Sequence, residues 1–169
     1  WVLFHRIWAA FEEVAEHALK LGAKVFIEWP RGCSYWREPA VMRFMNKHNF
    51  GWTDFDGCMY GLRPRGCDDP EVRIKKPWRF AYLNMPRVGE LLSLQCDHKH
   101  AHQSLVGGRA QGAAKYPPGL CKAICRGIIK LKREMHEAVR VVASISSDVR
   151  RRLRDPEEFP NNCFLDACH

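Results

Sequence analysis

The sequence predicts an α/β fold, and three observations lead to this prediction. Helical and strand patterns alternate along the first half of the chain in the order helix, strand, helix, strand, strand. Apolar residues make up 46% of the 169 residues, and six Trp and nine Phe supply bulky side chains for a core. The second and third strands are joined without room for a helix, so we expect them to pair antiparallel. Three strands are too few for a complete doubly wound sheet, so we interpret the chain as the C-terminal part of one.

The first helix is predicted over residues 6–21, because apolar side chains recur there at helical spacing and Gly22 is a good stop. The residues expected on its core face are Ile7, Phe11, Val14, Ala18 and Leu21. Next comes a continuous apolar run at residues 25–27, closed by Pro30. A short run of this kind after a helix is typical of a strand buried on both faces.

The remaining elements follow from turn residues and periodicity. Pro39 can open a short helix through about residue 47. Strands are predicted within residues 51–62 and 76–84, and a short helix over residues 88–94. Pro117 or Pro118 opens a long helix that extends to about residue 153. Its apolar face is predicted to contain Leu120, Ile124, Ile128 and Leu131.

Charge and composition favour a nucleic-acid partner and exclude a membrane span. The net charge is +8, and the isoelectric point lies near 9.2. This excess favours a polyanionic partner, usually nucleic acid. The expectation of DNA rather than RNA rests on the motifs described below and not on the charge. No apolar run approaches the roughly 20 residues of a membrane helix, and no signal peptide is recognisable. We therefore expect an intracellular protein, nuclear or cytoplasmic, with reduced thiols, that is a piece of a longer polypeptide.

The heptad "CDHKHAH", residues 96–102, concentrates metal-ligand side chains. A strand advances about 3.3 Å per residue, so its two ends would lie roughly 20 Å apart in a straight strand. One ion bound through both ends therefore requires a turn inside the heptad. A fourth ligand of a closed site would be His98, Cys121, Cys125 or a remote cysteine. We expect Cys121 and Cys125 in the core. The alternative to zinc is an exposed, partly protonated basic loop near nucleic acid.

Several motifs occur in an order that resembles a known family. They are "IEWP" at 27–30, "DGCMYGL" at 56–62, "KPWRF" at 76–80, the Cys/His heptad, and "YPPGLCKAI" at 116–124. Together they resemble the later motifs of DNA cytosine-5 methyltransferase-like domains, as found in phage methylases and in dinoflagellate and fungal mobile-element polyproteins. The resemblance covers roughly residues 1–130. It implies a partial Rossmann-like methyltransferase sheet in residues 1–94, then a Cys/His segment and a long basic helix in residues 95–155. Residues 156–169 would form a loosely ordered tail.

The resemblance also implies a chemistry for the site. In this reaction a cysteine thiolate adds to C6 of a flipped cytosine, and a carboxyl group contacts the base. By resemblance Glu28 is the base-contacting carboxyl, and S-adenosylmethionine is the cofactor. Trp29 stands where the motif usually has Asn. The sequence has no Pro-Cys pair and no G-x-G-x-x-G turn, so we expect this chain alone to be inactive. Glu28 could instead be a strand-end glutamate that faces solvent.

Further binding residues are predicted from the same motifs. Lys76 and Arg79 are candidates for phosphate or base contacts, or else form a basic strand end. Arg109 and Lys115 lie in a glycine-rich segment that offers a phosphate contact or serves as a linker. The family pattern selects Cys96, His100 and His102 as zinc ligands and leaves His98 surplus. Three functions follow: the target-base side of a methyltransferase-like domain, a non-catalytic zinc-stabilised nucleic-acid-binding module, or a degenerate fragment without activity.

Overall fold

The computed structural model describes residues 1–64, 67, 69, 71–105 and 112–154, with the helical backbone alone for 148–154. Four α-helices and three strands follow one another in these residues. They are α1 (Val2–Lys20), β1 (Phe26–Pro30), α2 (Pro39–Lys47), β2 (Gly51–Asp56), β3 (Pro77–Tyr82), α3 (Pro86–Leu91) and α4 (Pro118–Arg154). Short 3-10 turns lie at Ser34–Arg37, Gly57–Tyr60 and Gly112–Ala114. The predicted mixed α/β class and the long C-terminal helix are confirmed.

The three strands form one sheet in the order β1-β3-β2. Both pairings are antiparallel, with Glu28 and Thr53 opposite Phe80. The predicted antiparallel pairing of the second and third strands is therefore confirmed. Rossmann-like sheets are mainly parallel, and the three described strands contain no parallel pairing of that kind.

The sheet has apolar layers on both faces. Alternate residues of a strand point to opposite faces, and β3 accordingly places Trp78 and Phe80 on one face and Ala81 on the other. The first face packs against α3 and the first part of α4, with Phe55, Tyr60, Val88, Leu92 and Leu120 in the cluster. The second face packs against α1 and α2, with Trp8, Ile27, Trp36, Val41 and Phe44 in the cluster.

The predicted core face of the first helix is confirmed at Phe11 and is wrong at Ile7, Val14 and Leu21. Ile7, Val14 and Leu21 are 60%, 68% and 75% exposed, whereas Trp8 is 4% exposed. The buried stripe is shifted by one residue and is formed by Phe4, Trp8, Phe11 and Ala15. Both stripes of α1 are apolar at helical spacing, so periodicity alone could not choose between them.

The first strand also differs from its prediction. β1 lies at the edge of the sheet, and Phe26 at its start is 45% exposed. A strand buried on both faces was expected, and that expectation is wrong. A short apolar run does not carry information about the number of neighbouring strands.

Helix α4 begins at Pro118 and presents the predicted apolar face. Leu120 is buried in the core, and Ile124, Ile128 and Leu131 pack against the same cluster. The chain divides into two compact units, Trp1–Leu131 and Lys132–His169. The predicted boundary at 94/95 stays a prediction, and the tail at 156–169 lies outside the described residues. No helix in the described part of the chain is long and apolar enough to cross a membrane.

Candidate metal centre

Cys58 is held in a tight turn at the end of β2. The strand ends at Asp56, and a 3-10 turn over Gly57–Tyr60 follows directly. Gly61 closes this turn with a φ of 85°, a left-handed conformation that favours glycine. At Gly57 a Cβ atom would lie 2.8 Å from both the Trp78 ring and the Leu62 side chain. The turn therefore presses against the core, and the Cys58 side chain is fully buried.

The heptad at residues 96–102 folds back on itself as a hook. His98 adopts a positive φ of 59°, which marks the turn that the spacing of the ligands required. The His98 amide donates to Cys96 Sγ at 3.3 Å, and the Lys99 amide donates to Asp97 Oδ1 at 3.2 Å. As a result Cys96 Sγ lies only 3.4 Å from His102 Nε2, not the roughly 20 Å of a straight strand.

Backbone hydrogen bonds fasten the hook to the domain at both ends. The Cys96 amide donates to Asp56 Oδ2 at 2.8 Å. At the other end the Arg73 amide donates to the Ala101 carbonyl at 2.9 Å, and the Gln103 amide donates to the Arg73 carbonyl at 2.8 Å. The hook is thereby fixed beside the turn that carries Cys58.

Four side chains meet at this point with the donor set of a metal site. One ligand atom from each of Cys58, Cys96, His100 and His102 lies within 4.8 Å of the other three. Cys96 Sγ lies 3.7 Å from His100 Nε2 and 3.4 Å from His102 Nε2. A tetrahedral zinc ion with bonds of about 2.3 Å to sulfur and 2.0–2.1 Å to nitrogen requires S···N separations of about 3.6 Å. This Cys2His2 cluster could hold a metal ion such as zinc.

Two carboxylates lie around the cluster. Asp97 Oδ1 lies 3.7 Å from His100 Nδ1, longer than a hydrogen bond, and Nε2 of the same ring lies 3.7 Å from Cys96 Sγ. Asp56 is 2% exposed, and its Oδ1 has no hydrogen-bond partner in the described part of the molecule. A buried carboxylate oxygen without a partner is costly unless a cation lies nearby. A divalent ion in the cluster would supply that charge.

The protein environment favours the neutral forms of two of these ligands, Cys58 and His102. Burial, with the neighbouring Cys96, raises the pKa of the Cys58 thiol to about 12. Burial also lowers the pKa of His102, and the neighbouring His100 adds to this effect. Neutral imidazole is the form that binds a metal, whereas each thiol must release its proton to the solvent when an ion binds.

The structure brings the three predicted ligands together and adds one that the sequence did not single out. The fourth ligand is Cys58, which corresponds to the remote cysteine among the predicted alternatives. His98 lies outside the cluster, with Nε2 3.4 Å from Lys75 Nζ. Cys121 and Cys125 are exposed on α4, so their expected burial in the core is wrong.

Glu28 lies on the same sheet face as Phe80 and Trp78, in a second polar group. The Tyr116 hydroxyl donates a hydrogen bond to Glu28 Oε2. Burial raises the pKa of Glu28, while Tyr116 and Lys76 act in the opposite direction. Glu28 also lines a cavity of about 610 Å³ between α1 and β1, whose other walls are almost entirely aromatic and aliphatic. The carboxyl is thus partly shielded from solvent and hydrogen-bonded to Tyr116.

The residues predicted to contact nucleic acid differ in their exposure and in their contacts within the domain. Lys76 Nζ donates to the Ala113 carbonyl at 3.0 Å and lies 4.8 Å from the Trp78 ring centroid, so this amine is engaged inside the domain. Trp78 itself is 1% exposed, as expected of a core residue. Lys115 is exposed, and Arg109 lies outside the described residues.

Arg79 points to the opposite face of the sheet from Glu28, because it occupies an alternate position on β3. Its guanidinium forms two hydrogen bonds to Asp54, at 2.7 and 2.9 Å, and lies 5.0 Å from the Trp52 ring centroid. The bond to Asp54 raises the pKa of Arg79. The structure therefore does not bring Arg79 together with Lys76 and Glu28.

Comparisons with protein-family models, with curated proteins and with solved structures found no match.

Proposed function

We propose that this chain is a zinc-stabilised nucleic-acid-binding module. The observation that carries the proposal is the Cys58, Cys96, His100 and His102 cluster, whose four ligand atoms all lie within 4.8 Å of one another. The separations of Cys96 Sγ from the two histidine nitrogens, 3.7 and 3.4 Å, are close to those around a tetrahedral ion. The chain's net charge of +8 supports a polyanionic partner, and the resemblance of its motifs to DNA methyltransferase-like domains favours DNA over RNA.

Zinc fits this donor set better than the other common protein metals. Two thiolates and two imidazoles form a tetrahedral S2N2 set, whereas magnesium and calcium prefer six or more oxygen ligands. Four protein ligands also fill the coordination sphere, which is the arrangement of structural zinc sites rather than catalytic ones. The ion's role in this proposal is to fasten the hook to the end of β2.

Metal content and cobalt spectroscopy test the zinc site. We expect one zinc ion per purified chain. The Co²⁺-substituted chain should show the visible bands of a tetrahedral ion and a thiolate charge-transfer band. Cys58→Ser should weaken the charge-transfer band, because one of the two sulfur ligands is lost, whereas His98→Gln should leave the spectrum unchanged. A chain without bound metal, or identical spectra for Cys58→Ser and the unaltered chain, would contradict the site.

A second candidate function is supported by a separate observation. Glu28, Lys76 and Tyr116 come from three of the motifs that resemble DNA cytosine-5 methyltransferase-like domains, and they meet in one polar group. In this alternative the chain supplies the target-base side of such a domain, and Glu28 contacts the ring of an extruded cytosine. The remaining parts of a Rossmann-like sheet and the S-adenosylmethionine site would belong to other residues.

Mismatched DNA tests this alternative, because a mismatched base is cheaper to extrude from the duplex. A duplex with one mismatched cytosine should bind more tightly than the same duplex with a mismatched thymine. Glu28→Gln should abolish that preference, and Glu13→Gln, an exposed glutamate on α1, should preserve it. Equal affinities for the two duplexes would remove the assigned role of Glu28.

A further inference from the structure

The excess positive charge of the chain is confined to one continuous segment. Residues 98–133 contain eight Lys and Arg residues and no Asp or Glu. The whole chain has 27 basic and 19 acidic residues, so the remainder carries 27 − 8 = 19 basic and 19 acidic residues. The net charge outside this segment is therefore zero. The segment from the metal hook to the first part of α4 therefore carries a charge equal to the net charge of the whole chain.

The first part of α4 is fixed on the domain by its apolar side. Leu120 is 1% exposed, and Ile124 and Ile128 pack against the core. At Gly127 a Cβ atom would lie 2.7 Å from Val88 Cγ2, so the helix backbone approaches α3 closely there. The opposite side of the helix is consequently held towards solvent.

That outward side carries a straight row of cations. Lys122, Arg126 and Lys130 are spaced four residues apart, which places them on one side of the helix. All three are exposed, and none forms an ion pair with a described acidic side chain. At a rise of about 1.5 Å per residue the row is roughly 12 Å long. That length corresponds to three or four phosphates along one strand of duplex DNA, at about 3.4 Å of helix axis per phosphate.

We infer that the Lys122, Arg126 and Lys130 row, the α4 basic row, is the surface that binds the phosphate backbone of nucleic acid. This inference rests on the proposed nucleic-acid-binding function and assigns its contact surface. The row replaces Lys76 and Arg79, which are engaged within the domain. A lipid surface fits less well, because a membrane-bound amphipathic helix inserts its apolar side, and that side is packed in the core here.

The recognition is expected to be independent of sequence, since lysine and arginine side chains on phosphates carry no base information. Each neutralised phosphate releases counterions, and log K falls with log salt concentration with a slope of about −0.9 per contact. Three contacts thus account for a slope of about −2.7 in log K against log salt concentration. Relative to 1 M salt, these contacts raise the affinity at 0.1 M salt roughly 500-fold.

The test is fluorescence anisotropy of a labelled duplex with the full chain at several salt concentrations. The row variant carries Lys122→Gln, Arg126→Gln and Lys130→Gln. The control variant carries Arg6→Gln, Lys20→Gln and Lys24→Gln, which remove the same charge from exposed positions elsewhere. We expect the row variant to lose up to about 500-fold in affinity at 0.1 M salt and about 2.7 in salt slope. The control should stay within a few-fold of the unaltered chain.

The outcomes separate the inference from the function on which it rests. If the unaltered chain binds no duplex, the proposed function fails. If it binds and the row and control variants weaken equally, the function stands and the α4 basic row is overturned. Anionic vesicles form a second arm, and binding to vesicles but not to DNA would overturn the nucleic-acid assignment. A cooperative urea transition with an unchanged midpoint, followed by tryptophan fluorescence, shows that each variant is folded.

Discussion

Cys58→Ala gives the sharpest test of the metal centre, because Cys58 is the only ligand outside the hook. The other three ligands lie within seven residues of one another, whereas Cys58 precedes Cys96 by 96 − 58 = 38 positions. Without Cys58 the hook can still hold an ion with three ligands, but the ion no longer connects the hook to the end of β2. The variant therefore removes the long-range cross-link and leaves the local ligands in place.

The size of the effect follows from the length of the closed loop. In the chain-entropy description, closing a loop of 38 residues costs the unfolded chain about 13 cal/mol/K, or about 4 kcal/mol at 25 °C, and the folded chain does not pay this cost because Cys58 already lies beside the hook. We therefore expect zinc to raise the free energy of unfolding of the unaltered chain by about 4 kcal/mol more than that of Cys58→Ala. Because the comparison is between metal-bound and metal-free forms of each variant, the loss of the buried sulfur itself cancels.

Urea unfolding followed by tryptophan fluorescence measures these free energies, with zinc buffered at one fixed free concentration or removed by a chelator. His98→Ala is the matched control, because His98 lies in the same heptad but outside the cluster. It should retain the full zinc-dependent stabilisation. If the stabilisations of the unaltered chain and Cys58→Ala differ by less than about 1 kcal/mol, the cross-link reasoning is refuted.

Three further predictions concern the fold around the site. Gly57→Ala should destabilise the domain by about 1–3 kcal/mol in urea unfolding, because the new methyl group overlaps the core, whereas Gly32→Ala meets open space and should be nearly neutral. Trp8→Ala should cost about 3–5 kcal/mol and Ile7→Ala about 0.5 kcal/mol, and the reverse order would contradict the buried stripe of α1. Burial raises the pKa of Glu28, so its contribution to stability is present at low pH and is lost as pH rises through that pKa. Glu28→Gln should therefore gain stability relative to the unaltered chain as the pH rises above the ordinary carboxyl pKa of 4.5, and a difference in urea midpoint that does not change with pH would contradict the shift.

The starts of helices were predicted well where one residue type, such as proline, marks the first helical position. Pro39 and Pro118 begin their helices as expected, since proline at the first helical position needs no hydrogen-bonded amide. The apolar face of α4 was predictable because the opposite side of the helix carries Lys122 and Arg126. Only one face of α4 therefore offers a continuous apolar stripe. Helix α1 has two such stripes, and its orientation depends on packing against the sheet.

Only the three ligands within the heptad were predictable from the sequence, and Cys58 was not. The turn inside the heptad followed from ligand distances, and Cys96, His100 and His102 followed from the family pattern. The position of Cys58 beside the hook depends on the pairing of β2 with β3. It also depends on the Asp56 amide, which donates to the Leu94 carbonyl at 3.0 Å and holds the end of β2 next to the segment that leads into the hook. A signal was present in the sequence, since Asp56 and Cys58 directly follow a strand and precede a glycine turn. The positions of these residues along the sequence do not indicate that the turn lies next to residues 96–102 in the folded chain.

The separation between the local and remote ligands has a consequence for how the protein acquires its structure. A three-ligand hook can capture an ion while the rest of the chain is still unfolded, because closing a loop of a few residues takes about 10–100 ns. Cys58 can join only when β2 has paired with β3 and the turn after Asp56 has formed. Metal loading and sheet formation are therefore two separable kinetic phases. Zinc present from the start of refolding should leave the early rate unchanged and should slow global unfolding, since the final ligand bond forms after the sheet.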